Sequence, residues 1–165
     1  MKKFFTKLYF LITSLVIIAC TLISMLLLSG FILPYNGVGL SNYPTMSNNT
    51  FGICIKKEPK RFEFVSIEKE LGDFSGVIKR VVGMPGDSVK IISGNTYIND
   101  ELIYEKYAYY GTDEIKNSYD IDEIALADDE YFIFGDNRAE SYDSKYFGPV
   151  KKADIECTVL YWKNK

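Results

Sequence analysis

Hydrophobic and polar positions divide this chain into two unlike parts. Residues 8–33 contain no charge, and Leu, Ile, Val and Phe dominate them. A bilayer core takes roughly 20 apolar residues as helix, so this run is long enough to cross with some tilt. A cleavable leader has an apolar core of only about 7–15 residues. Length therefore reads the run as a retained anchor. After it the pattern breaks into short apolar stretches: residues 51–55, 62–67, 76–82, 89–92, 97–99, 102–103, 131–134 and 157–162. Turn chemistry separates them, notably Gly83-Met84-Pro85-Gly86-Asp87, where Pro presets φ and Gly supplies positive φ. Closely spaced strands without a long amphipathic helix predict a mostly β, antiparallel domain. Residues 107–121, polar and rich in Tyr, read as a surface loop with little fixed structure.

Charge sets an orientation. Lys2, Lys3 and Lys7 precede the apolar run, and the next basic residue is Lys56. The positive-inside rule places residues 1–7 in the cytoplasm, 8–33 in the membrane and 34–165 outside. The net charge is −3, and setting aside the three N-terminal lysines leaves about −6. An acidic body argues against a nucleic-acid partner, whose recognition needs a basic face. Membrane lipid is the expected neighbour of the anchor, and a monomer is expected.

The 165 residues include no histidine. That excludes Ser-His-Asp and Cys-His catalysis and removes the commonest metal ligand. No cysteine spacing resembles a zinc site, so no metal or cofactor is expected. Cys20 lies in the apolar run, leaving Cys54 and Cys157 as the pair that could bridge. Sequence does not fix their separation, and the plainer reading is two small buried apolar residues.

A serine nucleophile here needs another base, and lysine serves in Ser-Lys enzymes. Ser41 follows the uncharged, Gly-punctuated link 34–40. Lys79 lies on a β-branched run, with Val77 and Val81 on its own strand face. Lysine in water has a pKa near 10.4, and burial among apolar groups can lower it by several units. An isolated strand lysine is ordinarily exposed, so the weight falls on the surrounding motifs.

Three segments carry those motifs: Ser41-Asn42-Tyr43-Pro44-Thr45-Met46, Lys79-Arg80-Val81-Val82-Gly83-Met84-Pro85-Gly86-Asp87, and Gly135-Asp136-Asn137-Arg138-Ala139-Glu140-Ser141-Tyr142-Asp143-Ser144-Lys145. In order and content, downstream of a single anchor, they resemble the type I signal peptidases. The resemblance implies an antiparallel β-sheet domain of the signal peptidase and LexA-like type. It also implies endopeptidase cleavage of signal peptides from exported preproteins after small residues, in the Ala-x-Ala pattern. By the same resemblance Ser41 is the nucleophile, with its own backbone N–H as an oxyanion donor, and Lys79 is the general base. Ser141 would orient Lys79, while Asp143 and Lys145 would form a structural ion pair. Arg80, Asp87, Asp136 and Asn137 read as structural.

The chain departs from the family pattern in three places. Asn42 stands where methionine is usual, Lys145 replaces an arginine, and residues 62–65 match only faintly. A non-catalytic or dedicated signal-peptidase-like assembly factor for surface-fibre (pilus) export is the rival reading. A self-cleaving repressor is disfavoured by the anchor.

Overall fold

The structure, a computed structural model, describes residues 2–68 and 76–164; residues 1 and 165, the ends of the segments expected above, lie outside that range. Its first element is helix α1, Lys2–Leu28. Within it, Phe4–Leu28 is long and apolar enough to cross a membrane by length and composition. At 1.5 Å per residue those 25 residues rise about 38 Å, against a hydrocarbon core of about 30 Å. Three of its hydroxyls turn inward onto the helix: Thr13 and Ser14 donate to the carbonyl of Phe10 and Thr21 to that of Ile18. That satisfies them without water.

Residues from Pro34 onward form a separate compact unit. Its elements are β1 (Ile32–Gly37, which begins just before it), β2 (Thr50–Ile55), β3 (Phe64–Ile67), β4 (Val77–Gly83), β5 (Ser88–Ile92), β6 (Asn95–Ile98) and β7 (Glu101–Leu102). After these come α2 (Asp113–Asn117), β8 (Ile121–Ala125), β9 (Glu130–Phe134), α3 (Ser144–Phe147), β10 (Val150–Lys151) and β11 (Ile155–Lys163). One sheet runs β1-β2-β11-β3-β4-β9-β10, and a smaller one runs β7-β6-β5-β8. From β2 to β10 the pairs of the larger sheet are antiparallel, as are those of the smaller. The protein is mostly antiparallel β with an N-terminal apolar helix.

Strands β4 and β9 lie between two cores, which explains their unbroken apolar runs. Side chains alternate across a strand. Val81, Tyr131 and Ile133 join Val65, Ile67 and Val150 on one face. Val82, Phe132 and Phe134 join Val89, Ile91 and Ile98 on the other. Gly83 permits the second packing, because a Cβ there would lie 2.6 Å from Val89 and 2.7 Å from Leu126. The β4–β9 register shifts between Val81 and Gly83.

Two expectations need correction. Residues 107–121 are not loosely structured. Tyr110 and Tyr119 are buried in the core, with rings 5.4 Å apart in a T-shaped contact. Helix α2 starts at Thr112, whose hydroxyl accepts from Ile115 N. The segment's polarity lies in hydroxyl tips and charges, while its rings supply apolar area. Cys54 and Cys157 form a disulfide, with Cα atoms 5.7 Å apart. They are brought together because β2 pairs with β11, a relationship that a separation of 103 residues hides from local sequence reading.

Candidate active site

The site is assembled from three places in the chain: the turn between β1 and β2, the start of β4, and the segment between β9 and α3. Ser41 lies in the first. Its carbonyl accepts from Asn137 N at 3.0 Å, and the carbonyl of Leu40 accepts from Asn137 Nδ2 at 3.1 Å. Gly135 makes this approach possible, since a Cβ there would lie 2.3 Å from Ser41 O and 2.2 Å from Ser141 Oγ. Turn bonds from Tyr43 N to Leu40 O and from Met46 N to Asn42 O fold the segment on itself.

Lys79 lies on β4, opposite Val65 of β3, and is only 3 % exposed. Burial pushes its pKa down to about 8, opposed by the negative charge of Asp143. Ser41 and Lys79 line one cleft of about 380 Å³, together with Asn42, Ile78, Glu140 and Tyr142. A buried amine titrating near neutrality beside a hydroxyl can act as a base.

Ser141 and Asp143 are both buried. Among the described residues Ser141 Oγ has no hydrogen-bond partner. The Asp143 carboxylate accepts from Gly135 N at 3.0 Å and from Lys145 N at 3.2 Å, where it caps α3. Lys145 does not close the expected ion pair with that carboxylate. Its ammonium donates to Arg138 O at 3.3 Å and lies over the rings of Tyr119 and Tyr146. The compact ammonium finds an acceptor and two π faces, where a guanidinium fork would suit a carboxylate.

Buried ion pairs brace the three segments. Arg80 donates to both oxygens of Asp136 and to Phe62 O, with its guanidinium 4.0 Å from the ring centres of Phe64 and of Tyr107. Thr45 donates its hydroxyl to the same Asp136 carboxylate. Asp87 closes the β4–β5 turn by accepting from Met84 N and pairing with Arg61.

Sequence reading missed Arg138 and Glu105, a pair at 2.6 Å beneath the site. Burial alone would raise the Glu105 pKa, but Arg138 and hydrogen bonds from Thr96 and Tyr107 hold it below the usual carboxylate range. Glu105 precedes the Tyr-rich stretch read as a loop, and nothing local marks it. The hydrogen bond from Asn42 to strand β4 was also missed. The one signal for it was the departure from the family pattern at that position.

A family model described as signal peptidase, peptidase S26, matches residues 9–162. The probable signal peptidase I-2 of Synechocystis is 32% identical over 113 residues, covering 64% of this chain and 50% of that protein. Signal peptidase I V of Bacillus subtilis is 28% identical over 135 residues, covering 73% of this chain and 79% of that one. Among solved structures, the crystal structure of a signal peptidase I from Enterococcus faecalis matches with a TM-score of 0.53 and 28% identity. That match covers 63% of this chain and 98% of the other. The chain thus spans half the length of the cyanobacterial relative and most of the Bacillus one.

Proposed function

Because the chain belongs to the signal peptidase family of S26 peptidases, we propose that it removes N-terminal signal peptides from exported preproteins with Ser41 as nucleophile and Lys79 as general base. The observation that carries this reading is the burial of Lys79 in the cleft it shares with Ser41, which lowers its pKa to about 8. At neutral pH a usable fraction of the amine is then unprotonated, as a base requires.

The neutral Lys79 amine takes the Ser41 hydroxyl proton as Oγ attacks the scissile carbonyl, and the carbonyl electrons move onto oxygen. The Ser41 backbone N–H is the proposed donor to that oxyanion. Collapse breaks the peptide C–N bond, and Lys79 returns its proton to the leaving amine. Water, deprotonated by the same amine, then hydrolyses the acyl-enzyme and regenerates Ser41. Ser141 is the group proposed to orient Lys79 once substrate is bound, since its buried Oγ makes no hydrogen bond to the amine in this structure.

Helix α1 is the proposed anchor, spanning once with residues 1–7 in the cytoplasm and residues 34–165 outside. The basic residues before it and the uncharged span support that topology. Preproteins cut after small residues, of the Ala-x-Ala type, are the proposed substrates. The protein is proposed to act as a monomer, without metal or cofactor.

The test is cleavage of an Ala-x-Ala preprotein by the purified full-length protein in detergent, beside Ser41→Ala and Lys79→Ala. Wild type should cut after the small residue, and both variants should lose about 10⁴-fold or more of the rate while remaining folded. Cleavage surviving in either variant would unseat the dyad. A wild type silent on every preprotein would favour the assembly-factor reading.

A further inference from the structure

Asn42 follows Ser41 and Ile78 precedes Lys79, and these two neighbours of the proposed dyad are bonded to each other. Asn42 Nδ2 donates to Ile78 O at 2.8 Å, and Asn42 is only 7 % exposed.

The direction of the Ile78 carbonyl follows from the strand. Val81 exchanges bonds with Phe62 and Glu63 on the β3 side. Backbone groups alternate along a strand, so those of Lys79 share that side and those of Ile78 face the other. On that other side the β4–β9 register begins only at Arg80 opposite Phe134. The Asn42 amide therefore supplies Ile78 O with a donor where the β9 pairing has stopped. The remaining tethers of the nucleophile turn run to residues 136 and 137 and to Asn164, which bonds Thr45 O and Ser47 N. Among the described residues, Asn42 alone ties the turn by hydrogen bond to the strand that carries the base.

The other end of the side chain argues against a purely stabilising role for this tether. Asn42 Oδ1 is buried without a partner among the described residues. A stranded acceptor is a cost that an apolar side chain of similar size would not carry. Methionine, usual here in the family this chain resembles, has no donor and could not make the bond.

We propose that Asn42 is a positioning residue, which sets the separation of Ser41 and Lys79 through its bond to Ile78 O. The proposal rests on the dyad reading given above. Asn42→Leu removes the donor while keeping the branched shape, and Asn42→Asp sets an acceptor against the carbonyl.

In the full-length protein, both variants should lower kcat about 10- to 100-fold with KM held within about threefold. Hydrogen exchange across residues 39–46 should speed up, and Asn42→Leu should melt at or above wild type. An unchanged kcat, or a loss that tracks a lowered melting temperature, would overturn the proposal. If wild type cuts no preprotein, the dyad reading fails by itself. Exchange then decides the tether, and unchanged exchange across 39–46 would sink it.

Discussion

Arg80 closes Nε and Nη2 on the two carboxylate oxygens of Asp136, at 2.7 and 2.6 Å, in a buried bidentate pair. Arg80 follows the proposed base, and Asp136 opens the segment that receives the Ser41 carbonyl. Thr45, from the nucleophile turn, donates to the same carboxylate. One carboxylate therefore joins all three motifs. Removing a partner would leave a buried charge uncompensated. Arg80→Met should lower stability by about 3–5 kcal/mol and Arg80→Lys by less, measured by urea unfolding. Activity should fall in both, and a stable Arg80→Met would show that the brace is dispensable.

The rate should depend on pH through Lys79. As the proposed base its active form is the neutral amine, and its pKa is about 8. Below that value kcat/KM should fall about tenfold per pH unit, levelling above it. Asp143 raises this pKa, so Asp143→Asn should move the acid limb to lower pH. A limb that stays in place would deny the coupling.

Folding stability carries the same titration. An unfolded lysine titrates near 10.5 and the folded one near 8. Between those values the unfolded chain binds more protons, so stability should rise with pH across that window. It should be fully present above 10.5 and lost as pH falls through 8. Lys79→Met should flatten the rise, as followed by chemical unfolding at fixed pH values.

Ser141→Ala separates activity from stability. The hydroxyl makes no hydrogen bond among the described residues, so its removal should leave the melting temperature unchanged or slightly raised. Losing the group proposed to orient the base should lower kcat by about 10-fold or more. Full activity in this variant would assign the orientation of Lys79 to other groups.

The Cys54–Cys157 bridge closes a separation of 103 residues. In the chain-entropy view such a bridge contributes about 5 kcal/mol. Cys54→Ser with Cys157→Ser should melt well below wild type, and reductant should lower the wild type toward the double variant. Coincident melting curves with and without reductant would refute a stabilising role.

What the sequence determined by itself was local or periodic. The anchor is legible because a membrane helix needs a long uncharged run, and β4 and β9 because strands buried on both faces read as continuous apolar stretches. Ser41 and Lys79 could be nominated because their surroundings, Pro-Thr-Met and Gly-Met-Pro-Gly-Asp, are contiguous in the chain. The buried tyrosines at 110 and 119 were misread because the hydroxyls and charges around them hide apolar rings from a pattern of alternation.

Only the tertiary structure decided which distant groups meet. Glu105 beneath Arg138, Cys54 beside Cys157, Lys145 over Tyr119 rather than against Asp143, and Asn42 on Ile78 each depend on packing and strand pairing. A side chain's sequence neighbours carry no record of such partners. The lowered pKa of Lys79 is of the same kind. The strand put apolar residues beside it, but desolvation needed the rest of the domain to close over the amine.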